Sequence, residues 1–198
     1  MRLGVFGGSF DPPHNGHLAL CLYARDLLDL DLLIISVSKN PFKAPSDAPD
    51  EDRAAMAQLL ADEINATGAI AAVSRWELEQ PGSSYTVELL RHMKRLYPVA
   101  ERVFLAGEDS YRQMPRWKSY EDIPALCRIA VFGRPGIEHG GDDSGAPLPQ
   151  AEFHDFDMPV SATDVRTRIA SGIPVLHLVP SPIAEYIADR GIYHDASA

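Results

Sequence analysis

The chain has 198 residues, 45% of them hydrophobic, and a formal net charge of −10. That size suits one soluble domain with a sizeable core, and the acidic balance excludes a broad nucleic-acid surface, because phosphate backbones reward clustered Lys and Arg. No apolar run approaches a membrane span and no stretch is organised like a secretory signal, so neither nucleic acid nor membrane is expected as a partner. The two cysteines, Cys21 and Cys127, sit far apart within apolar runs and read as buried free thiols of a cytoplasmic protein. A small phosphorylated ligand stays open, since it needs only a few local donors.

Strand-like and helix-like runs alternate along the chain. Leu3–Phe6 reads as a short buried strand and is followed by a helix from about Gly16 to Leu28. Leu32–Val37, dense and β-branched at Ile34, Ile35 and Val37, suits a parallel strand covered on both faces. A Pro-rich loop over Lys39–Pro49 leads to a helix from about Asp50, where Asp50, Glu51 and Asp52 favour the positive end of its dipole. Ile70–Val73 reads as a third strand and Val87–Leu96 as a helix stopped by Pro98. Val103–Ala106 and Arg128–Phe132 read as two more strands, with a short helix around Tyr120–Leu126 between them. Gly133–Gln150, rich in Gly, Pro and Asp, reads as a mobile surface loop, and helices fit Asp164–Ala170 and Ile183–Arg190.

This alternation predicts an α/β fold: a Rossmann-like, doubly wound, mostly parallel sheet with helices on both faces. No internal repeat or linker appears, so one domain spanning 1–198 is expected, with a small C-terminal helical part from about 161 onward. In such folds ligands bind beyond the carboxyl ends of the strands. Three polar segments, each just after a predicted strand, should therefore share one rim: Gly7–His17, Ser38–Lys43 and Gly107–Trp117.

The first of them carries the chemistry. Gly7-Gly8-Ser9-Phe10-Asp11-Pro12-Pro13-His14-Asn15-Gly16-His17 links the first strand to the first helix. Paired glycines let the backbone approach an anion, and the helix N-terminus adds free N–H donors and partial positive charge. His14 and His17, three apart, would share a face and could both donate to phosphate oxygens as charge builds. The glycine spacing is not the dinucleotide fingerprint, and no Gly-Lys-Ser/Thr of a P-loop is present. The histidine pair lacks the further ligands that a zinc site needs, so no protein-held metal is expected.

Gly8-x-Phe10-Asp11-Pro12-x-His14-x-Gly16-His17 resembles the signature of the nucleotidyltransferase superfamily related to class I aminoacyl-tRNA synthetases. Over nearly the whole chain the resemblance is to the bacterial nicotinate-mononucleotide adenylyltransferases. Asn40-Pro41-Phe42-Lys43 is similar to a loop whose lysine approaches the triphosphate, and Ser84-Tyr85-Thr86 to a segment lining the nicotinate pocket. Gly107-Glu108-Asp109 with Trp117-Lys118 resembles a stretch whose aspartate meets the mononucleotide and whose tryptophan stacks on the pyridine ring. Arg134-Pro135-Gly136 resembles a turn after the fifth strand. Val160-Ser161-Ala162-Thr163-Asp164-Val165-Arg166 is similar to a motif that wraps the ATP phosphates, and Tyr186-Ile187-Ala188-Asp189-Arg190-Gly191-Ile192-Tyr193 to the family's terminus. Two departures stand out: Ala162 replaces a serine of the phosphate motif, and Val87-Glu88-Leu89-Leu90 follows Thr86 where x-Asp-Thr-Leu is usual.

The resemblance implies transfer of AMP from ATP to nicotinate mononucleotide, giving deamido-NAD and pyrophosphate, with Mg²⁺ bound by the ATP phosphates. It implies that His14, His17, Lys43 and Arg166 are catalytic. It places Gly7, Gly8, Ser9, Phe10, Gly16, His17, Arg134, Ser161, Thr163 and Arg166 around ATP. Ser9, Tyr85, Thr86, Gly107, Asp109 and Trp117 would surround the mononucleotide, with backbone N–H groups near Thr86 and Trp117 as donors for the nicotinate carboxylate. Transfer to phosphopantetheine or nicotinamide mononucleotide, and an inactive nucleotide-binding sensor, are the alternatives. Homo-oligomerisation is left open.

Overall fold

The computed structural model describes residues 1–39, 46–133 and 147–194. Six parallel strands form one sheet: β1 (Arg2–Gly8), β2 (Leu32–Val37), β3 (Ala71–Ser74), β4 (Glu101–Gly107), β5 (Arg128–Gly133) and β6 (Glu152–Asp155), in the order β3-β2-β1-β4-β5-β6. The predicted doubly wound parallel fold is therefore present. Because all strands run one way, every carboxyl end lies on one rim. The chain order reverses between β1 and β4, which pair through Val5 and Phe104, and this leaves a crevice at that rim.

Among the described residues the helices are α1 (Asn15–Leu27), α2 (Asp50–Asn65), α3 (Trp76–Glu79), α4 (Thr86–Leu96), α5 (Glu108–Arg112), α6 (Ala162–Ala170) and α7 (Ser181–Arg190). Short 3₁₀ turns cover Met114–Arg116 and Tyr120–Ala125. Strand side chains alternate between two cores, as a period of two requires. Leu33, Ile35 and Val37 of β2 face a core shared with α1, α2, α6 and α7, whereas Ile34 faces the core under α4. Leu105 and Phe104 divide in the same way. Cys21 and Cys127 are buried and free, one in each core.

Predicted and observed elements differ at short segments. β6, α3 and α5 were not expected. β6 is four residues, Glu-Phe-His-Asp, with no apolar run, and its strand form comes from pairing with β5. The acidic start of α2 also does more than face a helix dipole. Asp52 is buried and accepts hydrogen bonds from the Tyr186 hydroxyl (2.8 Å) and from Arg190 Nε (3.1 Å), which clamps α7 onto α2. Ile183 and Ile187 of α7 enter the same core as α2, so the C-terminal helices are part of the main body. Most of the segment 133–150 read as a surface loop lies outside the described residues.

Candidate active site

Two concavities open at the rim, and they share Phe6, Gly7, Gly8, Gly107 and Ser110 as a common wall. The first is lined by Ser84, Tyr85, Thr86 and Trp117, and the second by Ser9, His14, Gly16, His17 and Asp109. The Gly7–His17 and Gly107–Trp117 segments therefore meet at the switch point, as the sequence predicts. Ser38, just after β2, joins them in the first cavity.

The turn after β1 is held from behind. Phe10 takes a left-handed backbone (φ 49°) and is buried. Its ring lies under Gly8, where an added Cβ would come within 3.0 Å of it, and meets His17 edge-on at 5.3 Å. Phe10, expected around ATP, does not line either cavity; it supports Gly8 and His17 instead. Asp11 is buried and accepts from the backbone N–H groups of Asp47 (2.8 Å) and Ala48 (3.0 Å) and from the Tyr193 hydroxyl (2.7 Å). Burial and the adjacent Asp11 carboxylate push the Tyr193 phenol far above its usual range. It therefore stays a proton donor to Asp11 at every working pH. Arg53, fully buried, donates to the carbonyls of Ser9 (2.7 Å) and Ser38 (3.0 Å) and pairs with Asp50 at 2.6 Å. One cation thus ties two rim loops to the start of α2.

His14 occupies the N-cap of α1 and His17 its third position, and no acidic residue lies in the first turn to neutralise the helix's positive end. The two rings stack at 3.7 Å with 23° between planes. Gly16 makes room for this arrangement, because a Cβ there would lie 3.0 Å from His14 Nδ1. The His14 backbone N–H donates to His17 Nδ1 (3.1 Å), which places the proton of neutral His17 on Nε2. His17 then has an N–H at the edge of its ring opposite this bond.

Burial lowers the His14 pKa to about 4, so the ring is neutral across the physiological range. Its Nδ1 is buried with no partner among the described residues. Between pH 6.5 and 4 the unfolded chain binds a proton here that the folded chain does not, so stability falls as pH is lowered through that window. We expect unfolding free energies at pH 7 and pH 5 to differ by about 2 kcal/mol on account of this residue. His14→Asn retains a capping side chain and should lose that part of the pH dependence. Denaturant titrations at the two pH values measure it, and an unchanged difference in the variant would exclude the assignment.

The phosphate motif lies beside the second cavity. Val160 lines it, Ser161 caps α6 by accepting from the Asp164 N–H (3.1 Å), and Thr163 is exposed in the first turn. Arg166 does not line either cavity. It donates to the Asp11 carbonyl (2.8 Å) and forms an ion pair with Asp47. Lys43 and Arg134 lie outside the described residues. Trp117 meets Phe104 edge-on at 6.1 Å, and its backbone N–H is already bonded to the Met114 carbonyl at 2.8 Å. Of the expected carboxylate donors near Thr86 and Trp117, the Trp117 N–H itself is thus already engaged.

Arg53 and Glu77 were missed from the sequence. Arg53 follows three acids and carries no motif of its own. Glu77, in Trp76-Glu77-Leu78-Glu79, has no local signature at all.

Taken together, a parallel sheet in this strand order with a Gly-rich, paired-histidine turn at its switch point defines a nucleotidyltransferase, and a family model described as Cytidylyltransferase-like matches residues 5–168. The "Probable nicotinate-nucleotide adenylyltransferase" of Chlorobaculum parvum is 58% identical over 193 residues, covering 98% of this chain and 99% of that one. The protein of the same name from Prosthecochloris aestuarii is 54% identical and covers all of both chains. The chain belongs to the nicotinate-nucleotide adenylyltransferase family. Its fold matches that of the Plasmodium falciparum nicotinic acid mononucleotide adenylyltransferase complexed with NaAD. The TM-score is 0.74, with 16% identity and 97% of each chain covered.

Proposed function

We propose that the chain transfers AMP from ATP to nicotinate mononucleotide, forming deamido-NAD and pyrophosphate. The observation that carries this reading is the wall common to the two cavities. A ring held against Trp117 and a triphosphate held at His14 and His17 would bring their phosphates together over Gly7, Gly8 and Gly107. Relatives of the same length at 54–58% identity carry the corresponding name.

The mononucleotide's 5′-phosphate is already anionic at neutral pH, so it attacks the α-phosphorus in line without a covalent enzyme intermediate. Its oxygen forms the new P–O bond as pyrophosphate leaves with the bonding pair. The protein's share is positioning and charge stabilisation. The Nε2–H of His17 and the ring of His14 donate to phosphate oxygens, joined by Lys43 and by Arg166, which would exchange Asp47 for a phosphate. Mg²⁺ enters on the ATP phosphates as part of the nucleotide substrate and neutralises charge there. The N-terminus of α4 at Tyr85–Thr86 supplies backbone donors for the nicotinate carboxylate. Among the described residues no helix is long and apolar enough to cross a membrane; the buried free thiols fit a reducing cytoplasm.

Pyrophosphate release in the presence of ATP and either mononucleotide tests the reading. The acid should exceed nicotinamide mononucleotide in kcat/KM by at least about tenfold, the equivalent of one charge-assisted hydrogen bond. A preference for the amide would overturn the substrate, and release with neither would favour a nucleotide-binding sensor.

A further inference from the structure

The cavity beside Trp117 holds a carboxyl group that the proposed reaction does not use. Among the described residues lining it, Glu77 is the only one with an acidic or basic side chain. It is buried, and both carboxylate oxygens are occupied: the Ser36 hydroxyl donates to Oε1 at 2.8 Å and the Ser84 hydroxyl donates to Oε2. Two donors on two oxygens favour the ionised form. Ser84 immediately precedes Tyr85 and Thr86, so the carboxylate is built into the cavity wall and not left on a mobile side chain.

A buried charge is costly unless something compensates it. The Glu77 carboxyl is held above its usual range, by burial first, while the Ser84 and Ser36 hydroxyls and the nearby Arg53 guanidinium act in the opposite direction and limit the rise. Arg53 already pairs with Asp50. A purely structural strut between β2 and the start of α4 would work as well with an amide. What an amide cannot provide is a negative potential inside a cavity whose other walls are neutral. Where the ring to be bound is a cationic aromatic, that potential is attractive, and it is strengthened by the low dielectric of the site.

We propose that Glu77 is a specificity-determining residue whose buried carboxylate, held by Ser36 and Ser84, selects a positively charged aromatic ring over a neutral one. This rests on the reading that the cavity receives the pyridine ring of the mononucleotide. Ring charge and ring substituent are thereby recognised at different places: the pyridinium by Glu77 and the face of Trp117, the carboxylate by the start of α4.

The test compares nicotinate mononucleotide with its 1,4-dihydro form, which keeps the carboxylate and the phosphate but has an uncharged ring. Calorimetric Kd values are measured for both ligands and for ATP, on the wild-type protein and on Glu77→Gln. Glutamine keeps the shape and can still bond to both serine hydroxyls, which donate or accept, and it removes the burial penalty. The variant should therefore melt no lower than the wild type. The wild type should favour the cationic ring by about tenfold or more, and the variant's preference should fall by about tenfold, with ATP affinity within about twofold of wild type. Trp117 and the altered ring shape contribute equally in both proteins, so the change in the ratio belongs to Glu77. An unchanged ratio, or equal weakening of both ring forms, would overturn the proposal and leave Glu77 as a strut. A wild-type ratio near one would overturn it without any variant. Wild-type turnover measured alongside separates the two readings: no binding of nicotinate mononucleotide and no turnover would remove the cavity assignment itself, and this proposal with it.

Discussion

His17→Ala should lower kcat by about a hundredfold or more, equivalent to about 3 kcal/mol of transition-state stabilisation, while the protein remains folded. The N-cap backbone of His14 bonds to His17 Nδ1, which sets the tautomer with the proton on Nε2, and His17 lines the second cavity. Negative charge grows on the phosphate oxygens only as the in-line transfer proceeds. A donor fixed in advance is therefore worth more in the transition state than in the bound substrate, and the loss should fall on kcat more than on KM. Alanine also removes the acceptor for the His14 N–H and a ring that packs on Phe10, at a cost of about 1 kcal/mol in stability. His17→Asn separates the two effects. Its Oδ1 can replace Nδ1 as acceptor, so stability should return while turnover stays low. Near-normal turnover in a folded His17→Ala protein would remove His17 from the chemistry.

Arg53→Met should show the largest stability effect outside the hydrophobic cores. Methionine fills much of the volume but donates nothing. The Ser9 and Ser38 carbonyls, part-buried at the rim, then lose this partner, and Asp50, half exposed, can turn to water. Two such unpaired carbonyls cost together about 3 kcal/mol, which for a chain of this size corresponds to about 10 °C in Tm. Because Ser9 belongs to the phosphate turn and Ser38 to the cavity beside Trp117, kcat/KM should fall for both substrates. Calorimetry and initial rates measure the pair of effects, and a Tm within about 2 °C of wild type would show that the buried cation is not the tie described above.

The order of strands and helices could be read along the chain because long apolar runs with a clear period announce themselves. Leu32–Val37 is predicted with the same limits that the structure gives, since a strand covered on both faces has no polar alternation to blur its ends. The start of α2 at Asp50 was legible for a similar local reason, its three acids. Segments whose form depends on a neighbour were not legible. β6 exists because β5 offers it an edge, and α3 and α5 are single turns with too few residues to show a period.

The rim segments show the same division. Gly7–His17 could be assigned to phosphate handling from its letters, because glycines, a strand-to-helix turn and histidines three apart are each local properties. Its neighbours in space were decided elsewhere. Asp11 belongs to the signature, but its partner Tyr193, at the far end of the chain, could not be read from those letters. Arg53 has no sequence signature, and its bonds to the Ser9 and Ser38 carbonyls arise only when α2 packs against the rim loops. Phe10 reads as part of the nucleotide site, yet a left-handed backbone turns it inward to support His17. Local chemistry thus made phosphate handling readable from sequence, and the family resemblance supplied the class of reaction. Which charges are buried, and what they hold, depended on long-range packing, because desolvation and partner geometry arise only when distant segments close around the same atoms.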